Sequence, residues 1–183
     1  LFFQAGAEID ARSMDGMTPL LCAADRGSMK IMKILADRGG SLSSCDNEGM
    51  NALLFACMRG HVEVARWLLE TPEREGHVDQ RDKYLSTALY LASYSNRPEC
   101  VELLIARGAD LEARNKYGFT PLLRAARSKD ALATVKLLVS RGANAAALTP
   151  DGSVSVFMMA CASGSEPMVR FLKTVCDAEY CGP

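Results

Sequence analysis

In "HVEVARWLLE", residues 61–70, Val62, Ala65, Leu68 and Leu69 recur at the three- and four-residue spacing that gathers them on one face of a helix. Just before it, "EGMNALLFACMRG" (Glu48 to Gly60) reads as a shorter helix that opens after Asn51 and closes at a glycine turn. The two bursts together predict a helix pair, and the same apolar phrase returns along the chain. It appears as "DGMTPLLCAADRG" from Asp15, "YLSTALYLASYSN" from Tyr84 and "YGFTPLLRAARSK" from Tyr117, with a weaker version, "SVFMMACASG", from Ser155. From Thr18 to Asn51, Thr87, Thr120 and Ser155 the steps are 33, 36, 33 and 35 residues. A fixed period of this length marks a repeat architecture, in which each unit buries its apolar side against the next.

Each copy carries its own local signals. Thr18, Asn51, Thr87, Thr120 and Ser155 each offer a side-chain oxygen to the free N–H groups of the helix that follows, and Pro19 and Pro121 sit at the first helical position. Small pairs such as Ala23-Ala24 and Ala125-Ala126 let a neighbouring helix approach closely. Gly27, Gly60 and Gly164 mark the turn between the two helices, while Gly6, Gly39, Gly76, Gly108 and Gly142 mark the end of the second. Gly16, Gly49 and Gly118 then allow a tight hairpin finger between successive units.

With "TPL" opening the first helix, "GAD" after the second and the 33-residue step, the chain resembles the ankyrin repeat family over essentially its whole length. The resemblance implies an all-α ankyrin-repeat solenoid of helix-turn-helix units, with β-hairpin or turn fingers set across them and a concave groove between fingers and inner helices. The expected units are 1–12 (the C-terminal part of an incomplete first repeat), 13–45, 46–81 with an insertion at 71–76, 82–114, 115–148, and a degenerate capping repeat at 149–183. Three departures stand out. Leu21, Leu54, Tyr90, Leu123 and Met158 occupy the slot where the family usually has histidine, so packing must replace a hydrogen-bond tether. Leu85 takes the glycine place of the third finger, which should distort it. Leu1, Phe2 and Phe3 are not the polar face of an end cap, so the sequence is expected to be a piece of a longer chain.

No catalytic pattern is present. "DGS" at Asp151 lacks the glycines of a nucleophile elbow, and neither phosphate-loop nor dinucleotide fingerprints occur. Seven cysteines without a C-x-x-C pair and only two histidines suggest buried, reduced thiols rather than a disulfide framework or metal site. No enzyme activity, cofactor or metal is therefore expected. The net charge of −1 speaks against nucleic acid as partner, and no run is apolar enough to insert in a membrane. The chain is expected in the cytoplasm or nucleus, as a monomer, with end-to-end association open through Leu1, Phe2 and Phe3.

What remains is a protein-interaction scaffold. The ankyrin resemblance turns variable positions around each "TPL" and after each alanine pair toward the groove. These candidates are Met14, Met17 and Arg26; Met50 and Arg59; Arg81, Lys83, Tyr84 and Tyr94; and Arg114, Lys116, Tyr117, Phe119 and Arg127. Tyrosine, methionine and arginine often anchor interfaces. Residues 82–143 hold ten Lys and Arg against six Asp and Glu, which favours an acidic or phosphorylated protein or peptide. The methionines of the first finger suit an apolar anchor beside it. The alternative is a regulatory or docking segment of a larger multidomain enzyme.

Overall fold

The computed structural model describes residues 8–70 and 78–180, with side chains to 176. Among these, ten helices form five antiparallel pairs: α1 (Pro19–Asp25) with α2 (Met29–Ala36), α3 (Ala52–Arg59) with α4 (Val62–Glu70), α5 (Ala88–Tyr94) with α6 (Pro98–Ala106), α7 (Pro121–Ala126) with α8 (Leu132–Ser140), and α9 (Val156–Ser163) with α10 (Glu166–Tyr180). The inner helices α1, α3, α5, α7 and α9 pack in a row, each on the next, while α4, α6, α8 and α10 form the outer row. The predicted all-α solenoid is what the chain adopts. Gly6, Gly76, Leu1, Phe2, Phe3 and the insertion expected at 71–76 lie outside the described residues.

All five inner helices start in the way their sequence asks. The side chains of Thr18, Asn51, Thr87, Thr120 and Ser155 accept hydrogen bonds from the amides of Leu21, Leu54, Tyr90, Leu123 and Met158 at 2.9–3.3 Å. Leu21, Leu54 and Leu123, in the slot where histidine was missed, are fully buried, so packing does replace the tether there. Buried thiols are found at Cys57 and Cys100, whereas Cys22, Cys45 and Cys161 are exposed, so the expectation of buried thiols holds for only part of the set.

The fingers are tight turns held by main-chain bonds, with isolated bridges such as Cys45 to Asn51 in place of full strands. The first residue of each finger stabilises the turn with whatever acceptor it has. Asp46 Oδ1 accepts from the amides of Glu48 and Met50, Asp82 Oδ1 from Tyr84 and Ser86, Asn115 Oδ1 from Tyr117 and Phe119, and Thr149 Oγ1 from Val154. In the last finger, bonds from Ser153 and Thr149 also hold the Asp151 carboxyl down from the ordinary 3.8 to about 2. Neighbouring fingers are stitched edge to edge: Asn47 N–H donates to Asp15 C=O, Lys83 to Glu48, and Lys116 to Tyr84.

The third finger is not distorted. Leu85 adopts φ 59°, the left-handed conformation of Gly49 and Gly118, and its amide donates to Asp82 C=O at 2.9 Å as theirs do to Asp46 and Asn115. The neighbours therefore impose the turn and leucine bears a conformational cost of about 1–2 kcal/mol. Asparagine tolerates this region, and Leu85 is 46% exposed, so little burial is lost on its replacement. Leu85→Asn is expected to raise stability by about 1 kcal/mol in urea unfolding followed by circular dichroism. An unchanged midpoint would mean that the turn carries no strain.

Candidate protein-binding groove

Between the third and fourth fingers lies a hollow of about 580 Å³. Tyr84 and Ser86 come from the third finger, Tyr117 and Phe119 from the fourth, Tyr90, Leu91 and Tyr94 from α5, and Arg124 and Arg127 from α7 and its end. Tyr90 and Tyr94 stand four residues apart and so share a helix face. The bond from Lys116 N–H to Tyr84 C=O brings the two finger tips side by side.

Charges sit on the rings. The Arg124 guanidinium carbon lies 4.0 Å from the centre of Tyr94, and Lys116 Nζ lies 3.9 Å from Tyr84 and 5.0 Å from Tyr117. Glu48 reaches across from the second finger, pairing with Lys83 and accepting from the Tyr84 hydroxyl at 3.0 Å. The bond from Lys83, then that from Tyr84, lowers the Glu48 pKa, and the same bond to Glu48 raises that of Lys83. Burial pushes the Tyr90 phenol up. Arg124 and Arg127 have no ion pair among the described residues.

The predicted contact residues do not all meet here. Lys83, Tyr84, Tyr94, Lys116, Tyr117, Phe119 and Arg127 cluster in or at the rim of the hollow. Tyr117 is 61% exposed, but Phe119 is half-buried against the core, although both were expected outside. Met14 is 98% exposed at the first finger, Met17 packs partly on the core, and Arg26 is exposed after α1. Met50 is a correction: at 8% exposure it is part of the core, because the finger closes over it. Arg59 is paired with Asp25 at 2.7 Å.

Arg114 is committed to the scaffold, donating to the carbonyls of Gly118 at 2.6 Å and Leu148 at 2.9 Å. Arg12, three units earlier, likewise reaches into the next unit, donating to Cys45 C=O at 2.6 Å, while Arg81, one unit earlier, is exposed. Sequence reasoning left out Tyr90, Leu91 and Arg124. The four-residue spacing of Tyr90 and Tyr94 was the available signal; the stacking of Arg124 depends on α5 and α7 being neighbours.

A family profile described as ankyrin repeats, in three copies, matches residues 1–82 and 72–149. The chain belongs to the ankyrin repeat family. This ankyrin chain is 31% identical over 157 residues to a transient receptor potential cation channel subfamily A member 1 homolog of Caenorhabditis elegans, covering 86% of the chain and 13% of the relative. It is 32% identical over 175 residues to a B-cell lymphoma 3 protein homolog of Mus musculus, covering 94% and 38%. Human inversin is 32% identical over 138 residues, covering 74% and 13%. The chain thus spans well under half the length of these relatives. Ankyrin repeats of this kind form a protein–protein interaction domain. Among the described residues no helix is long and apolar enough to cross a membrane.

Proposed function

We propose that the hollow between the third and fourth fingers captures an acidic or phosphorylated segment of a partner protein and performs no chemistry on it. The supporting observation is that Arg124 and Arg127, without carboxylate partners among the described residues, stand over a concave wall of tyrosines. Planar guanidinium donors match the oxygens of carboxylates and phosphates, and the rings supply area at low entropic cost. Lys116 adds positive charge at the rim.

Affinity capture from a cell extract tests this with the wild-type chain beside Tyr117→Ala/Arg127→Glu, two exposed positions that leave the core intact. The expected result is that the variant, folded by circular dichroism, loses proteins retained by the parent, and that raising salt weakens the parent's capture. Identical capture by both chains would place the working surface elsewhere.

A further inference from the structure

The hollow discriminates among charged guests by what already occupies its rings. An ammonium guest needs free aromatic faces and a free carboxylate. Here Arg124 lies over Tyr94 at 4.0 Å and Lys116 over Tyr84 at 3.9 Å. Asp82 Oδ1 accepts from two finger amides, at 2.8 and 2.7 Å. A methylated or free lysine side chain would therefore find those two faces taken and would meet like charge from Arg124 and Arg127.

An anion meets two guanidiniums, those of Arg124 and Arg127, against one carboxylate in the lining, that of Asp82. Arg124 is held over the Tyr94 ring and keeps N–H groups that can donate, and Arg127 at the end of the same helix is exposed. Neither side chain has a hydrogen-bond partner among the described residues. Size then separates one anion from another. At about 580 Å³, the hollow is far larger than a carboxylate or a phosphoserine head, and such short guests would leave its phenyl walls wet.

A guest whose dianion is carried on an aromatic ring satisfies both parts. We infer that the hollow is a pocket for phosphotyrosine in a partner protein, an inference that rests on the groove reading above. The guest ring packs against Tyr117 and Phe119, beside the Arg124–Tyr94 stack, and Arg124 and Arg127 donate to the phosphate oxygens. The charge-assisted bonds supply orientation, and the ring burial supplies the preference over phosphoserine.

The experiment is fluorescence polarisation with one labelled peptide scaffold carrying phosphotyrosine, tyrosine, phosphoserine or trimethyl-lysine at the same position. Phosphotyrosine is expected to bind at least about tenfold tighter than each of the other three: the charge-assisted bonds separate it from tyrosine and trimethyl-lysine, and burial of the ring separates it from phosphoserine. Arg124→Gln and Arg127→Gln are each expected to remove that advantage, while Lys30→Gln, an exposed cation on α2 outside the hollow, leaves it unchanged; thermal melts confirm that all three fold. Equal binding of phosphoserine and phosphotyrosine would overturn the aryl part and leave an anion-binding groove. Preference for trimethyl-lysine would overturn the inference outright. If no peptide binds while Tyr117→Ala/Arg127→Glu still loses its captured proteins, the phosphotyrosine inference fails and the groove reading stands. If that variant also captures the parent's set, both fail.

Discussion

Gly118→Ala is expected to destabilise the stack by about 3 kcal/mol, the largest effect of a single added carbon at any of the described glycines. Two causes combine. Gly118 has φ +78°, where alanine costs about 1 kcal/mol, and a Cβ placed there would lie 1.9 Å from Pro150 Cγ and 2.4 Å from Cδ. A proline ring cannot swing aside, so the fourth finger must lift from the fifth. That movement would pull on the two bonds by which Arg114 ties Gly118 C=O to Leu148 C=O. Urea unfolding by circular dichroism measures the loss. Pro150→Ala in the same background removes both obstructing atoms and should recover more than half of it, leaving the positive-φ cost. A single variant within about 0.5 kcal/mol of the parent would show that the fingers slide past each other freely.

Leu54→Ala should cost a comparable 3–4 kcal/mol. Leu54 is 1% exposed at the start of α3, whose row neighbours α1 and α5 pack on both sides. Truncation leaves a cavity that the two flanking helices can close only by moving toward each other, and their own contacts resist that. Leu54→Met keeps the volume and is expected to cost less than about 1.5 kcal/mol. Hydrogen exchange should show the amides of α3 and α4 losing protection before those of α9. Uniform loss along the chain would argue that the stack melts as one unit.

Much of the architecture was legible because its signals are local. Capping oxygens, the glycines that end helices and the spacing of Val62, Ala65 and Leu68 act within one or two turns, and each functions as its sequence suggested. The errors fall where one unit meets the next. Leu85 looked disruptive in its own finger, yet Lys83 N–H bonded to Glu48 C=O and Lys116 N–H bonded to Tyr84 C=O clamp that finger from both sides. Met50 and Phe119 looked like surface residues because the bend that turns them inward is set by Asp46 and Asn115. Arg114 looked like a ligand for a partner, but its acceptor is a carbonyl 34 residues away. The candidate groove is of the same kind: its tyrosines could be read along one helix, whereas the cation over Tyr94 arrives from the neighbouring one.

The edge-to-edge stitching of the fingers has a mechanical consequence. The second, third and fourth fingers each bond to the one before by a main-chain link, between Asn47 and Asp15, Lys83 and Glu48, and Lys116 and Tyr84, and among the described residues the helices pack chiefly on their immediate neighbours. Such a body behaves like a leaf spring: stiff across its thickness, compliant along its length. A guest wedged between the third and fourth leaves would change the curvature there, and the finger-to-finger bonds on either side would carry that change in angle along the stack.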